Sequence, residues 1–220
     1  MTAKNNYLSR DWMLLLLILA GFGLGAYFYP SLPEKVPSHW NIYGQVDRYS
    51  SRFFGAFGLP LLNAGMYLLL LLTPNLDPNK KNYKLFEGSY RMIRMLLHVF
   101  LLGLQSVVLA VAIGYDINVA VVVKISVSMI FVLIGNVMGR FRHNYFVGIK
   151  TPWTLANEEV WRKTHRMAAP LWVLGGIVCV VSSFWNNAVS AILFFMAIFV
   201  LTIVPIVYSY IEYKRITRGN

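Results

Sequence analysis

The sequence predicts an all-α, polytopic integral membrane protein with six transmembrane helices, and three observations predict it. Hydrophobic residues make up 57% of the 220 and charged residues only 13%, with a mean hydropathy of +0.56; a soluble domain has roughly 45–50% apolar and roughly 25% charged residues. Continuous apolar runs recur along the chain, each near the roughly 20 residues that a helix needs to cross a hydrocarbon core of about 30 Å. Lys and Arg gather between alternate runs, as cytoplasmic loops require.

The first run, Trp12 to Tyr29, follows Lys4 and Arg10 as a secretory signal would. It ends in "GAYFYPSLP" without a small-residue cleavage pattern, and further spans follow, so it reads as an uncleaved first helix. Next comes a segment over 30–52, expected outside the cell, in which Pro30, Pro33 and Pro37 disfavour helix and Gly44 permits a turn. It is expected to be an ordered irregular or short-stranded loop. The second run is Phe53 to Leu72, and "PNLDPNKKNYK" after it reads as a charged turn. "LFEGSYRMIRML" then carries Phe86, Tyr90 and Ile93 at helical spacing and extends the third run, Met95 to Gly114, inward. Only "YDIN" separates that run from the fourth, Val119 to Met138, and "FWNN" separates Ala168 to Phe184 from Val189 to Tyr210, which makes both pairs antiparallel hairpins. The runs are nearly twice the length of a barrel strand and lack its alternation. One domain over 1–220 is the economical organisation.

Of the 20 Lys and Arg, all but Lys35, Arg48, Arg52 and Lys124 lie in the terminal and alternate connecting segments that are inner if the N-terminus is cytoplasmic. Both termini are therefore expected inside. The net charge of +11 is spread over four inner segments, which fits topology and anionic lipids and not the single basic stripe of a nucleic-acid binder. Cys179 is the only cysteine, so an intramolecular disulfide and a cysteine-based zinc site are excluded.

Gly21 with Gly25, and Gly135 with Gly139, are four-residue steps that put small residues on one helix face for close packing. Asn63, Gln105 and Asn136 are polar within spans and are expected to bond between helices, and Lys124 is placed to snorkel outward.

The inner segment 139–167 carries most of the unusual residues. Asn136, Arg140 and Asn144 are spaced four and four, so on a continuing helix they form one polar stripe that seldom faces lipid. Gly148 permits a break, and Thr151 followed by Pro152 has the pattern of an N-cap with proline at the first helical position. Trp153, Ala156, Val160, Trp161 and Thr164 share a face, with Asn157, Glu158, Glu159, Arg162 and Lys163 opposite, which predicts an amphipathic interfacial helix that Pro170 ends or kinks. The stripe and the Trp161, Thr164 and His165 face are expected to join in a hydrogen-bonded junction, because unpaired buried polar groups are costly.

No two of the four histidines share the helical step of a zinc pair. There is no nucleophile elbow, the adjacent Glu158 and Glu159 point about 100° apart, and the apolar runs hold no acid before Glu212. A binding protein without metal or cofactor is expected, not an enzyme.

Gly135, Asn136, Asn144, Gly148, "KTPWTL" at Lys150 to Leu155 (which includes Thr154), Trp161, Thr164 and His165 resemble the signature of the SdpI family of bacterial membrane proteins. "LPEKVPSHWNIYGQVDRYSS", Leu32 to Ser51, is similar to the DUF1648-like outer-loop module that often accompanies it. Position 150 is Lys where the family pattern more usually has Arg, which forgoes a bidentate contact. The resemblance implies a multi-pass protein of the bacterial plasma membrane conferring immunity to a secreted toxic peptide. His39, Trp40, Asn41, Gly44 and Asp47 are the candidate contacts, His39, Trp40 and Asp47 foremost, because an aromatic anchor flanked by polar groups concentrates binding energy; the competing reading is that Trp40 packs the loop onto the bundle. In some members the resemblance implies recruitment of a cytoplasmic repressor; a receptor-like transducer and, less well supported, an exporter are the alternative readings.

Overall fold

The computed structural model describes residues 11–41, 44–185 and 187–218; Lys4 and Arg10 lie outside the described residues. Six helices in it are long and apolar enough to cross a membrane: α1 (Trp12–Phe28), α2 (Arg52–Leu76), α3 (Glu87–Ala112), α4 (Val119–Met138), α6 (Glu158–Ser182) and α7 (Ala188–Arg218). A short helix, α5 (Pro152–Ala156), and 3-10 turns at Tyr29–Ser31 and Lys80–Phe86 complete the helical elements. β1 (Lys35–Trp40) and β2 (Val46–Ser51) pair antiparallel between α1 and α2. The chain is a multi-pass membrane protein, and the many exposed leucines, phenylalanines and valines of its long helices are what a lipid-facing surface requires.

Two compact units are present. One holds residues 11–71 and 94–119, the other 72–93 and 120–218, and α2 and α3 contribute to both. In the first, α1 buries Leu14, Ile18, Gly21 and Gly25, a four-three-four spacing that keeps them on one face. The glycines pack as their spacing predicts. A methyl on Gly21 would come 2.9 Å from Gln105 Oε1, and one on Gly25 2.6 Å from the Ala56 carbonyl. Gln105 Nε2 donates to the carbonyls of Gly21 at 2.8 Å and Ala56 at 3.2 Å, the interhelical bonding expected of it.

The same unit contains an ion pair that the sequence did not announce. Arg94 Nη1 and Nη2 donate to Asp11 Oδ1 and Oδ2 at 3.1 and 2.5 Å, with both side chains almost wholly buried. Tyr67 lies alongside, its hydroxyl donating to Asp11 at 3.4 Å and its ring under the guanidinium. His98, one turn along α3, donates from Nδ1 to the Arg94 carbonyl, and Asn63 Nδ2 reaches the His98 carbonyl at 3.5 Å.

In the second unit α4, α6 and α7 pack through small-to-large contacts. A methyl on Gly135 would meet Trp172 Cβ at 2.9 Å, and one on Gly176 would meet Val132 and the Ser128 carbonyl. Gly139, the expected companion of Gly135, has open space before it, because α4 stops at Met138. Asn136 is exposed and makes no interhelical bond among the described residues, unlike the expectation. Lys124 does not snorkel: it is 8% exposed and donates to Ser190 Oγ at 3.1 Å and the Trp185 carbonyl at 3.4 Å. A buried ammonium needs such acceptors.

Candidate functional site

The hairpin belongs to the first unit. Val36 of β1 is fully buried with Leu32, Ala56, Val108 and Leu109, and Trp40 packs half-buried against the same cluster. Register breaks between Pro37 and His39 and between His39 and Trp40 act as bulges, which re-aim side chains. His39 is left exposed, its Nδ1 2.5 Å from Asp47 Oδ1. At the turn, Asn41 bonds Gln45 through both backbone and side chain, and Gly44 adopts φ +80°, a left-handed value that favours glycine. Asn41 and Gly44 thus build the turn, while His39 and Asp47 occupy the surface.

The second site is the segment from the end of α4 into α6. Turn bonds from the Arg140 and Phe141 N–H groups close α4 at Met138. Asn136, Arg140 and Asn144 therefore form no stripe: Asn136 and Arg140 are exposed, and Asn144 is fully buried in a loop. Asn144 has a more exacting position than the one expected. Its Nδ2 donates to the carbonyls of Arg142 and Val147 at 2.8 and 2.9 Å, and its Oδ1 accepts the N–H groups of Phe146 and Val147 at 2.9 and 2.7 Å. All four bonding positions are used within its own loop.

Gly148 follows at φ +124°, and a methyl there would collide with His165 Nε2 and press on the Trp161 ring. The close approach lets the Ile149 N–H donate to His165 Nε2 at 2.9 Å, while His165 Nδ1 donates to the Trp161 carbonyl at 2.8 Å. One neutral tautomer satisfies both bonds. Trp161 is 1% exposed, stacks on His165 at 4.1 Å and donates from Nε1 to the Phe141 carbonyl at 3.0 Å. The expected junction between the end of the fourth span and the residues before the fifth exists, with a correction to its partners: Trp161 and His165 hold loop backbone and do not meet the side chains of Arg140 or Asn144. Thr164 is buried, and its hydroxyl oxygen has no partner among the described residues.

Thr151 caps α5 in a reciprocal box with Thr154, Pro152 sits at the first helical position, and the Thr151 hydroxyl reaches Ser209 Oγ at 3.0 Å. The Trp153 ring lies 4.9 Å from Tyr210. Lys150 is exposed and unpaired among the described residues. The amphipathic pattern over 151–167 is not one helix. α5 ends at Ala156, and Asn157 caps α6 by accepting the Glu159 and Val160 N–H groups at 2.8 and 3.1 Å. Nor does Pro170 end a helix, since α6 continues through it to Ser182.

The sequence also left unremarked a group that fastens this loop. Asp77 is 2% exposed and accepts the Asn79 N–H, the Tyr83 hydroxyl and the Tyr145 N–H. Asn79 and Asn82 donate to the Nδ1 and the carbonyl of His143, whose Nε2 donates to the Leu155 carbonyl. The Asp-Pro-Asn run at 77–79 is an Asx-turn signal that could have marked this group. Among the described residues no three His, Cys, Asp or Glu side chains are grouped to hold a metal ion.

Both sites fall within segments shared with known proteins. Residues 16–64, which include the hairpin, match a domain family of unknown function, DUF1648, and residues 140–209 match the SdpI/YfhL protein family. The chain is 24% identical to the immunity protein SdpI of Bacillus subtilis (strain 168) over 213 residues, 97% of this chain and 100% of the relative. No solved structure matches. Two segments of this six-span chain thus match family models, residues 140–209 that of the SdpI/YfhL family, and the whole chain is similar end to end to an immunity protein.

Proposed function

We propose that the chain is an immunity protein of a bacterial cell membrane and protects its host from a secreted toxic peptide by binding, without covalent chemistry. The observation that carries this reading is the end-to-end similarity to a relative named an immunity protein. The termini and the 139–167 segment lie in the cytoplasm on this reading, following the distribution of Lys and Arg, and the hairpin faces the incoming peptide. His39 and Asp47 are its exposed polar pair. Trp40 is spent on fixing the hairpin to its unit.

Expression in a sensitive host challenged with candidate secreted peptides tests the reading directly. Survival should rise with expression and fall for His39→Ala and Asp47→Ala at unchanged membrane abundance. Survival that never depends on expression, against any peptide that kills the host, refutes immunity. Protection untouched by both substitutions removes the hairpin from the mechanism.

A further inference from the structure

Phe141, Arg142, Glu158, Trp161 and Arg162 are among the residues that line a crevice of about 390 Å³ in the second unit. Two charge pairs with four-residue spacing begin α6, both with the acid first, the order that favours pairing. Glu159 and Lys163 close to 3.2 Å, and Lys163 also holds Glu212 at 3.1 Å. Glu158 and Arg162 stay apart although their spacing is the same. Along with Arg142 they are exposed and make no ion pair or side-chain hydrogen bond among the described residues. The crevice thus holds two uncommitted guanidinium groups and one uncommitted carboxylate beside the Trp161 ring.

The length of α6 sets its depth. Its 25 residues extend about 37 Å at 1.5 Å per residue, some 7 Å more than a hydrocarbon core of about 30 Å. The helix is polar from Glu158 to Arg166 and apolar from Ala168 to Ser182, so its polar first turns stand at and beyond the end of the apolar run. Polar turns that continue an apolar span are where a chain meets lipid headgroups, and the crevice is lined by residues of those turns.

We propose that this crevice binds the headgroup of a phospholipid carrying both a phosphate and a primary ammonium, as phosphatidylethanolamine does. Arg142 and Arg162 take the phosphate through charge-assisted hydrogen bonds, and Glu158 takes the ammonium. Residues four apart on a helix stand about 5–6 Å apart, a span comparable to that between phosphate and ammonium in such a headgroup. An anionic glycerol headgroup would bring no cation to Glu158, and a choline headgroup offers it no N–H donor.

The test is lipid retention by the purified full-length protein, exchanged into vesicles containing phosphatidylethanolamine, phosphatidylglycerol and phosphatidylcholine and read by native mass spectrometry. Phosphatidylethanolamine should be retained over the other two. Arg142→Gln and Arg162→Gln should each weaken retention roughly tenfold, the scale of one lost charge-assisted bond. Glu158→Gln should abolish the preference over phosphatidylglycerol while leaving phosphate binding intact. These side chains are exposed, and an unchanged thermal midpoint confirms that each variant is folded. Equal retention of all three lipids, or a preference insensitive to Glu158→Gln, overturns the proposal. Displacement of the lipid by equimolar free phosphoethanolamine would overturn it as a lipid site and assign a soluble ligand.

Discussion

At Gly148 the backbone angle of +124° and the nearby His165 ring impose the same requirement, since any side chain meets both a disfavoured conformation and a collision. Gly148→Ala should cost roughly 1–3 kcal/mol of backbone strain and displace His165, seen as a lower thermal midpoint of the purified protein and reduced membrane abundance. His165→Ala removes the acceptor of the buried Ile149 N–H, a loss of roughly 1–3 kcal/mol. An unchanged midpoint would show that the ring is only a dispensable interfacial group. The sequence brought Gly148, Trp161 and His165 into view as one unusual set but not their partners. Those are main-chain groups of the loop, and side-chain spacing carries no record of main-chain bonds. Asn144 illustrates the difference: four-residue spacing suggests a helix, yet its side chain fits a tight turn better.

The helices show why some boundaries were legible. A span must be long, apolar and helical, because lipid offers no partner for a free backbone group, so six apolar runs became six helices. The same rule lets Pro170 stay inside α6, where neighbouring helices and local adjustment compensate its missing N–H. The break between α5 and α6 was illegible because a continuous amphipathic pattern overrode a capping signal, Asn157 followed by two glutamates. Replacing Asn157 by Ala should cost about 1 kcal/mol through loss of its bonds to the Glu159 and Val160 N–H groups. Faster amide exchange confined to the first turn of α6 would register it. If exchange there is unchanged, the break is held by packing and not by the cap.

For the whole molecule, composition revealed the class, and two of its segments matched family models. Long-range pairing was hidden. Arg94 reads in sequence as one more inner-loop cation, Asp11 sits just before the first apolar run, and no periodicity reports a bond between residues 83 apart. Cysteines at Gln45 and Asn187 should react with an impermeant thiol reagent in intact cells, and cysteines at Lys81 and Lys150 only after lysis; the reverse order would invert the proposed orientation. Asp11→Asn should destabilise by about 3–5 kcal/mol, as breaking a buried pair does, and exchanging the two residues should restore part of that in thermal melts. The pair also bears on how the protein is made. A ribosome delivers α1 long before Arg94 exists, so the first helix enters the bilayer with its carboxylate unanswered and gains its counter-charge only when α3 arrives. Chains terminated between α2 and α3 should therefore be short-lived in cells, cleared by membrane proteases. Chains extended through Ala112 should persist, which makes the third span the step at which the nascent chain becomes durable.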